Sequence, residues 1–378
     1  MKLLSMLLLA ALPSAIPCTA TCQGPVTAMK VGIVGLVHGH VDAFFHKSAL
    51  APAGGVLDRP DVQLVGIVEP DQALFDKYAQ KYHLSPALHF ASTAEMIAKA
   101  HPAAVLVFTA PDEHRRIVEE AASHNVSIMM EKPLAITYAD ALAMQAAATK
   151  DHVHVLVDFE TTWYTSNAEA YNLFKQGSLG GMVKTVIRDG HQGPVKIGVP
   201  PEFMSWLIDP VHGGDGALID FGCYGPDLMT WLMDGEVPTS VSATTKRMQP
   251  NLYPKVDDEA DIVLDYPNAI SIIEGSWNWP IALKQMDLYG RTGYAKAIDS
   301  DQIEVRKEQD TAAQITQGVP LQAPFDDPLH YLEAVMSGQI EEGNSPSSLK
   351  TNVIVTEILD AAHRSALSGR RVMLPLKP

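Results

Sequence analysis

Residues 31–40 read VGIVGLVHGH. The first four residues are an unbroken apolar run, and Gly35 stands where that run stops. A strand covered on both faces that ends in a glycine turn opens a doubly wound nucleotide-binding fold. The dinucleotide fingerprint G-x-G-x-x-G then asks for glycines at positions 37 and 40. The chain has Val37 and His40 there, with Gly39 one place early of the third glycine. Gly35 keeps the backbone freedom of a tight turn. Val37 puts a side chain where bare backbone normally approaches a pyrophosphate. The start of the next helix still offers N–H groups to a phosphate.

Outward from this stretch the pattern alternates. Apolar runs KVGIVG, VQLVGIV, AAVLVFT and VSIMM are separated by helical stretches predicted at 40–50, 72–83, 93–100, 111–124 and 137–149. Continuous apolar strands between helices make a parallel sheet covered on both faces. HVLVDF at 154–159 adds one more strand. Beyond it the texture changes. A helix is expected at 167–176, then MVKTVIRDG, TSVSATTKRM, EADIVLDY, AISIIEGSW and KQMDLYG alternate apolar and polar residues across short turns such as YGRTG. That is an antiparallel sheet with one covered face. One helix at 216–233 interrupts it, and two more follow at 328–336 and 347–367. The prediction is α/β: a doubly wound parallel sheet over 29–150, then an α+β domain over 151–378. A ligand belongs where the strand ends of the first domain face the second.

Composition narrows the partners. The 378 residues carry 28 Lys+Arg against 44 Asp+Glu, a net charge of −16, and no basic run of five. Nucleic acid and anionic membrane surfaces need clustered cations and are excluded as expected partners. The 47% apolar content suits a globular core. Residues 1–22 have one Lys, an apolar run from Leu3 to Leu12 and then small residues, the outline of a secretory signal too short to span a bilayer. This reading makes the protein exported, periplasmic or extracellular. A start at Met29, directly before KVGIVG, makes it cytoplasmic. No twin-arginine pair is present, so an exported chain would leave without a folded-in cofactor. Cys223 is the single cysteine after such a leader and carries no disulfide information.

Several residues could carry chemistry. Glu69 and Asp71 end the second strand, where a carboxylate accepts hydrogen bonds from a ribose diol and repels a 2′-phosphate. Lys132, in Met130-Glu131-Lys132-Pro133, sits at the C-terminal edge of a buried strand and can hold a carbonyl or hydroxyl oxygen. Asp220 and Tyr224 are four apart in GGDGALIDFGCYGPDLMTWL, so a continuous helix gives them one face. A lysine beside the phenol would favour its phenolate. Thr109 is a candidate cap for a helix opened by Pro111. His38 and His40 form an H-x-H pair with no third ligand nearby in sequence; they are read as loop histidines that bond backbone or cap the helix, and no metal is expected.

These pieces together resemble the Gfo/Idh/MocA oxidoreductases, the family of glucose–fructose oxidoreductase and inositol dehydrogenase. The resemblance runs from Lys30 to the C-terminus. It rests on Gly35, TAPDEH at 109–114, EKPLA at 131–135 and the GGDGALIDFGCYGPD segment. It implies a Rossmann domain followed by an α/β domain with an open, mostly antiparallel sheet often used for oligomerisation, hence a homo-oligomer. It implies a nicotinamide dinucleotide, and the Glu69 and Asp71 carboxylates favour NAD over NADP, with Gly35, Val37, His38, His40, Glu69, Thr109, Pro111, Glu131 and Lys132 as the residues expected to hold it. The family lysine beside nicotinamide and substrate maps to Lys132. The family pattern D-x-x-x-H, whose histidine shuttles the proton, is Asp220-x-x-x-Tyr224 here, with tyrosine as in the glucose–fructose oxidoreductase branch. Residues 158–167 and 188–194 map to the crevice, with Trp163, Trp206 and His191 as a sugar face and His191 as a second acid–base candidate.

The expected function is hydride transfer between the nicotinamide and a sugar, cyclitol or related polyol. Tyr224, biased by Lys132 and oriented by Asp220, moves the hydroxyl proton in this scheme. Two alternatives stand beside it: an NAD-assisted glycosidase, and a non-catalytic sugar-binding protein with a relic cofactor pocket, which Val37 favours.

Overall fold

The computed structural model describes residues 28–377. The leader read in residues 1–22 lies outside the described residues.

Six strands form the first sheet: β1 (Met29–Val34), β2 (Val62–Val68), β3 (His89–Phe90), β4 (Ala104–Val107), β5 (Ser127–Glu131) and β6 (Val155–Asp158), in the order β3-β2-β1-β4-β5-β6. All neighbours pair in parallel. The order reverses between β1 and β4, which opens a crevice at their C-terminal ends. Helices α1 (Val41–Phe45), α2 (Gln72–Tyr82), α3 (Thr93–Ala100), α4 (His114–Ala122) and α5 (Tyr138–Asp151) make the crossovers. The strands bury nearly every side chain, as expected of a sheet covered on both faces.

The second sheet has nine strands: β7 (Met182–Gly190), β8 (Ser240–Lys246), β9 (Glu259–Asp265), β10 (Ile270–Ser276), β11 (Leu283–Gly290), β12 (Gly293–Ala297), β13 (Gln302–Lys307), β14 (Gln314–Gln317) and β15 (Val372–Met373). Its order is β14-β13-β12-β11-β7-β10-β9-β8-β15. It is antiparallel except at its centre, where β7 and β10 run parallel. Helices α6 (Thr165–Lys175), α7 (Pro194–Ile197), α8 (Pro201–Leu207), α9 (Ala217–Asp220), α10 (Tyr224–Leu232), α11 (Pro328–Met336) and α12 (Leu349–Ser368) complete the chain.

Three local differences from the sequence pattern bear on the site. Helix α1 stops at Phe45 rather than near residue 50. The Asp58 carboxylate accepts the Lys47 N–H at 2.5 Å and binds the His46 ring at 2.6 Å, folding the inserted loop back onto the helix end. Thr109 does not cap the following turn; its hydroxyl donates to the Ala110 carbonyl. The helix expected at 216–233 is two. At Gly222 the N–H reaches back five residues to the Ala217 carbonyl instead of four, and a Cβ there would meet the Leu218 oxygen at 2.1 Å. The widened turn resets the helix phase, so Asp220 and Tyr224 do not share one regular face.

Candidate active site

A cavity of about 730 Å³ opens between the C-terminal ends of the first sheet and the second sheet. The first turn contributes His40, Lys132 directly follows β5, the segment after β6 brings Glu160, His191 directly follows β7, α9 and α10 bring Asp220 and Tyr224, and β11 brings Lys284.

Lys132 is buried, 6% exposed. Its Nζ donates to Asp220 Oδ1 at 2.6 Å and to the Asp220 carbonyl at 2.9 Å. An ammonium has three donors, so one N–H remains for the cavity. Burial works against the charge, and the Asp220 carboxylate outweighs it, holding the lysine above its ordinary value. Burial opposes the Asp220 charge too, but Lys132 pulls that carboxyl down to about 2. The second Asp220 oxygen accepts from Trp277 Nε1 at 2.9 Å. Asp220 is thus a carboxylate with both oxygens engaged.

Tyr224 is 1% exposed, and its hydroxyl accepts from Lys284 Nζ at 3.0 Å. Lys132 Nζ lies over the ring face, 5.3 Å from the centroid, rather than at the oxygen. Burial, and then the Glu160 carboxylate, push the phenol well above its ordinary value. The expected phenolate bias from Lys132 is therefore corrected: the ammonium that touches the oxygen is Lys284, and Tyr224 stays a protonated phenol. Lys284 also pairs with Glu160, whose other oxygen accepts from the Tyr164 hydroxyl at 2.6 Å.

His191 stands in the cavity wall at the end of β7 as expected. Its Nδ1 accepts the Gly193 N–H at 2.9 Å, which places the ring proton on Nε2. Burial lowers its affinity for a second proton. It is a neutral donor.

The two tryptophans do not form a sugar face. Trp163 donates from Nε1 to Asp158 at 2.8 Å and packs edge-on to Tyr331, on the side of the first domain. Trp206, on α8, is 7% exposed and stacks over His38 with centroids 5.5 Å apart. The apolar wall of the cavity is Tyr164, Phe203 and Phe221 instead.

The remaining expected cofactor residues gather at the first turn. Gly35 adopts φ +85°, and a Cβ there would meet Thr109 at 2.5 Å, so the tight turn is kept. Thr109 and Pro111 are buried at the end of β4. Glu69 is corrected: it is 3% exposed, with one oxygen accepting the Leu36 N–H and the other the Asp71 N–H, both at 2.9 Å. It ties β2 to the turn and presents no open carboxylate to a ribose. Asp71 caps α2 through the Ala73 and Leu74 N–H groups.

His38 is buried, and burial drops it to about 3. Its Nδ1 accepts the His40 N–H at 3.2 Å, so its proton sits on Nε2, 3.9 Å from Glu131 Oε2. His40 Nδ1 lies 3.0 Å from Glu131 Oε1. The ligand atoms of His38, His40 and Glu131 fall within 4.8 Å of one another. The third group that H-x-H lacked in sequence is supplied by β5. The hydrogen bond at His38 Nδ1 nevertheless makes this an imidazole–carboxylate cluster, with a proton rather than a lone pair facing Glu131.

A dinucleotide fits this site unevenly. At the reactive end, Lys132 with its spare N–H and the cavity floor fit a nicotinamide and a substrate oxygen. At the pyrophosphate end, the Leu36, His38 and His40 N–H groups are already paired within the protein. Val37 is half-buried and packs on the core, and Phe203 and Trp206 cover His38.

Sequence reasoning missed Lys284, Glu160 and Trp277. The signal for Lys284 was present: it alternates with Met286 and Leu288 on the covered face of β11, where a charge needs a partner.

Comparison with known proteins agrees with the geometry. A family model described as an oxidoreductase family with an NAD-binding Rossmann fold matches residues 29–159, and the GFO/IDH/MocA C-terminal domain matches residues 167–296. Trans-1,2-dihydrobenzene-1,2-diol dehydrogenase of Xenopus laevis is 26% identical over 206 residues, 54% of this chain and 58% of the frog enzyme. The chain thus spans little more than half the length of that relative. D-apiose dehydrogenase of Rhizobium rhizogenes is 26% identical over 70% of this chain and 77% of its own. Among solved structures, an aldose-aldose oxidoreductase from Caulobacter crescentus complexed with glycerol superposes with a TM-score of 0.76 at 20% identity, over 92% of this chain and 100% of that one. An inositol dehydrogenase homolog from Azotobacter vinelandii complexed with NAD+ gives 0.75 at 17% identity, over 92% and 97%. These likenesses show a shared fold. With its two halves matched by the two domain models of one family, the chain belongs to the Gfo/Idh/MocA oxidoreductases.

Proposed function

We propose that the protein is an NAD-dependent oxidoreductase acting on a CH–OH group of a sugar, cyclitol or related polyol. The observation that carries this is the Lys132–Asp220 pair at the floor of the cavity. An ammonium kept charged by a carboxylate, with one N–H free, is a built-in holder for an oxygen that changes between hydroxyl and carbonyl. The nicotinamide supplies a hydride acceptor or donor when bound. Lys132 and the His191 Nε2–H donate to the substrate oxygens and fix which carbon faces the cofactor. Tyr164, Phe203 and Phe221 give the apolar wall against which a sugar's C–H face packs.

The named activities of the relatives, on a diol, on apiose and on aldoses, support the substrate class. NAD is favoured over NADP because Asp71, which caps α2 through Oδ1 alone, leaves a carboxylate at the end of β2, where a 2′-phosphate would be repelled. The reading includes a homo-oligomer built on the second sheet, whose exposed Val183 and Ile270 lie on neighbouring strands. No helix among the described residues is long and apolar enough to cross a membrane. The leader makes an exported protein our reading of its compartment.

The test is direct. Purified protein is denatured and the supernatant assayed for NAD(H) and NADP(H). The native protein is titrated with NAD+, and NADH formation is screened across sugars and polyols. Retained or micromolar NAD with turnover of a polyol supports the reading. No binding of either dinucleotide sinks it and leaves a sugar-binding role.

A further inference from the structure

We propose that His40, oriented by Glu131, is the general base that takes the substrate hydroxyl proton. The proposal rests on the oxidoreductase reading and adds to it the group that this reaction needs.

Oxidation of an alcohol sends the hydride from carbon to the nicotinamide. The hydroxyl proton leaves to a lone pair in the site, and the oxygen becomes a carbonyl. The acceptor must have an empty basic position before the step. The polar groups around the cavity can be taken one by one. Lys132 is an ammonium locked on Asp220. His191 carries its proton on Nε2, because Nδ1 accepts the Gly193 N–H. Tyr224 holds its proton and is bonded to Lys284. Asp220 is a carboxylate with both oxygens already accepting, from Lys132 and Trp277. Glu160 is pinned between Lys284 and Tyr164. Asp299, the remaining carboxylate of the lining, accepts the Asp301 and Gln302 N–H groups on one oxygen. The three carboxylates keep spare lone pairs, but against burial Asp220 and Glu160 are held below the ordinary carboxylate range by neighbouring lysines and Asp299 by backbone N–H groups, so each is a weaker base than an imidazole.

His40 supplies that imidazole. It lines the cavity and is 30% exposed. Its Nδ1 lies 3.0 Å from Glu131 Oε1, and a carboxylate only accepts, so Nδ1 is the donor and Nε2 holds the lone pair. Glu131 is 2% exposed and cannot itself reach a substrate. Its place behind the imidazole is that of the third group in a nucleophile–base–orienter array: it fixes the tautomer and stabilises the imidazolium formed when Nε2 takes the proton. His38 sits behind the pair with its Nε2–H 3.9 Å from the other Glu131 oxygen, which has no hydrogen-bond partner. Extra positive character on His40 is met by the Glu131 carboxylate 3.0 Å from its Nδ1. The residue occupies the third position of the broken glycine fingerprint. There a side chain from the first turn leans into the substrate cavity, where a glycine has nothing to offer.

Two measurements decide it. The first is independent of turnover: ring ¹⁵N NMR of the full protein, with His40 assigned by comparison with His40→Gln. The Nδ1–H tautomer at His40 is expected; an Nε2–H tautomer overturns the proposal. The second is the pH profile of kcat with the best polyol from the screen. Wild type is expected to gain rate with pH through one basic limb. In His40→Ala that limb disappears, kcat falls by roughly 10²–10³-fold, KM and the NAD+ dissociation constant move less than threefold, and added imidazole restores part of the rate. Glu131→Gln keeps the limb but displaces it. A His40→Ala enzyme with wild-type kcat and an unchanged limb overturns the proposal while leaving the oxidoreductase reading intact. A wild-type protein that binds no dinucleotide removes both.

Discussion

Lys284 Nζ stands 3.0 Å from the Tyr224 hydroxyl, and the two come from different elements of the second domain, a strand of its sheet and the helix that follows the Asp220 turn. The phenol is therefore an anchor for the Lys284–Glu160 pair. Tyr224→Phe is expected to leave the pH limb of kcat in place, lower kcat less than tenfold, and cost about 1 kcal/mol of stability for the lost hydrogen bond. Rate profiles and urea unfolding check both. A loss of 10²-fold or more with the limb abolished would return the shuttle role to Tyr224.

Lys132 and Asp220 form a buried ion pair, so Lys132→Met touches folding as well as chemistry. Removing one partner leaves Asp220 with Trp277 alone. The expected cost is about 3 kcal/mol, with turnover down by about 10²-fold or more. The double variant Lys132→Met, Asp220→Asn is expected to recover most of the stability and none of the rate. Denaturation midpoints and steady-state kinetics separate the two effects.

Asp189 is 1% exposed, with one oxygen lacking a partner, and burial pushes its carboxyl up from 3.8 to about 8. Between those values the folded protein holds a proton that the unfolded chain has lost. The stability contributed through Asp189 is therefore fullest below about pH 4 and falls as pH rises toward 8. Asp189→Asn removes that dependence. Its stability relative to wild type is expected to rise across this window by up to about 1.4 kcal/mol per pH unit, read from urea unfolding at several pH values. A constant difference would show that Asp189 is ionised in the fold.

Val37 takes the place of the glycine that lets a pyrophosphate approach. Val37→Gly is expected to tighten NAD+ binding about tenfold, about 1.4 kcal/mol. Titration followed by tryptophan fluorescence reads this and also reports on Trp206, whose Nε1 lies 3.5 Å from the Val37 carbonyl. An unchanged affinity would show that the Val37 side chain does not limit NAD+ binding.

The long-period features were legible before any coordinates. Strand β7 at 182–190 and helices α3 at 93–100 and α11 at 328–336 lie where the pattern put them, because burial of one face imposes a period on the residues that no neighbour can override. The split at Gly222 was not legible, since a five-residue backbone bond leaves no mark on an apolar pattern. Nor was the parallel pairing of β7 with β10, which depends on chain routing and not on either strand's own residues.

Within the site, the sequence alone determined that Lys132 would end a buried strand in a ligand crevice and that the glycine fingerprint was broken at Val37. Local pattern suffices for both, since strand ends and turn residues are read over a few positions. The tertiary structure alone decided which partner each ionisable group meets. His40 and Glu131 are 91 residues apart, Lys284 and Tyr224 are 60 apart, and Trp206 reaches Val37 across 169. A proton's position depends on burial and on the nearest charge within a few ångströms. Of those contacts, the first exists only once β1 and β5 lie in one sheet, the second only once α10 packs on the second sheet, and the third only once the two domains meet.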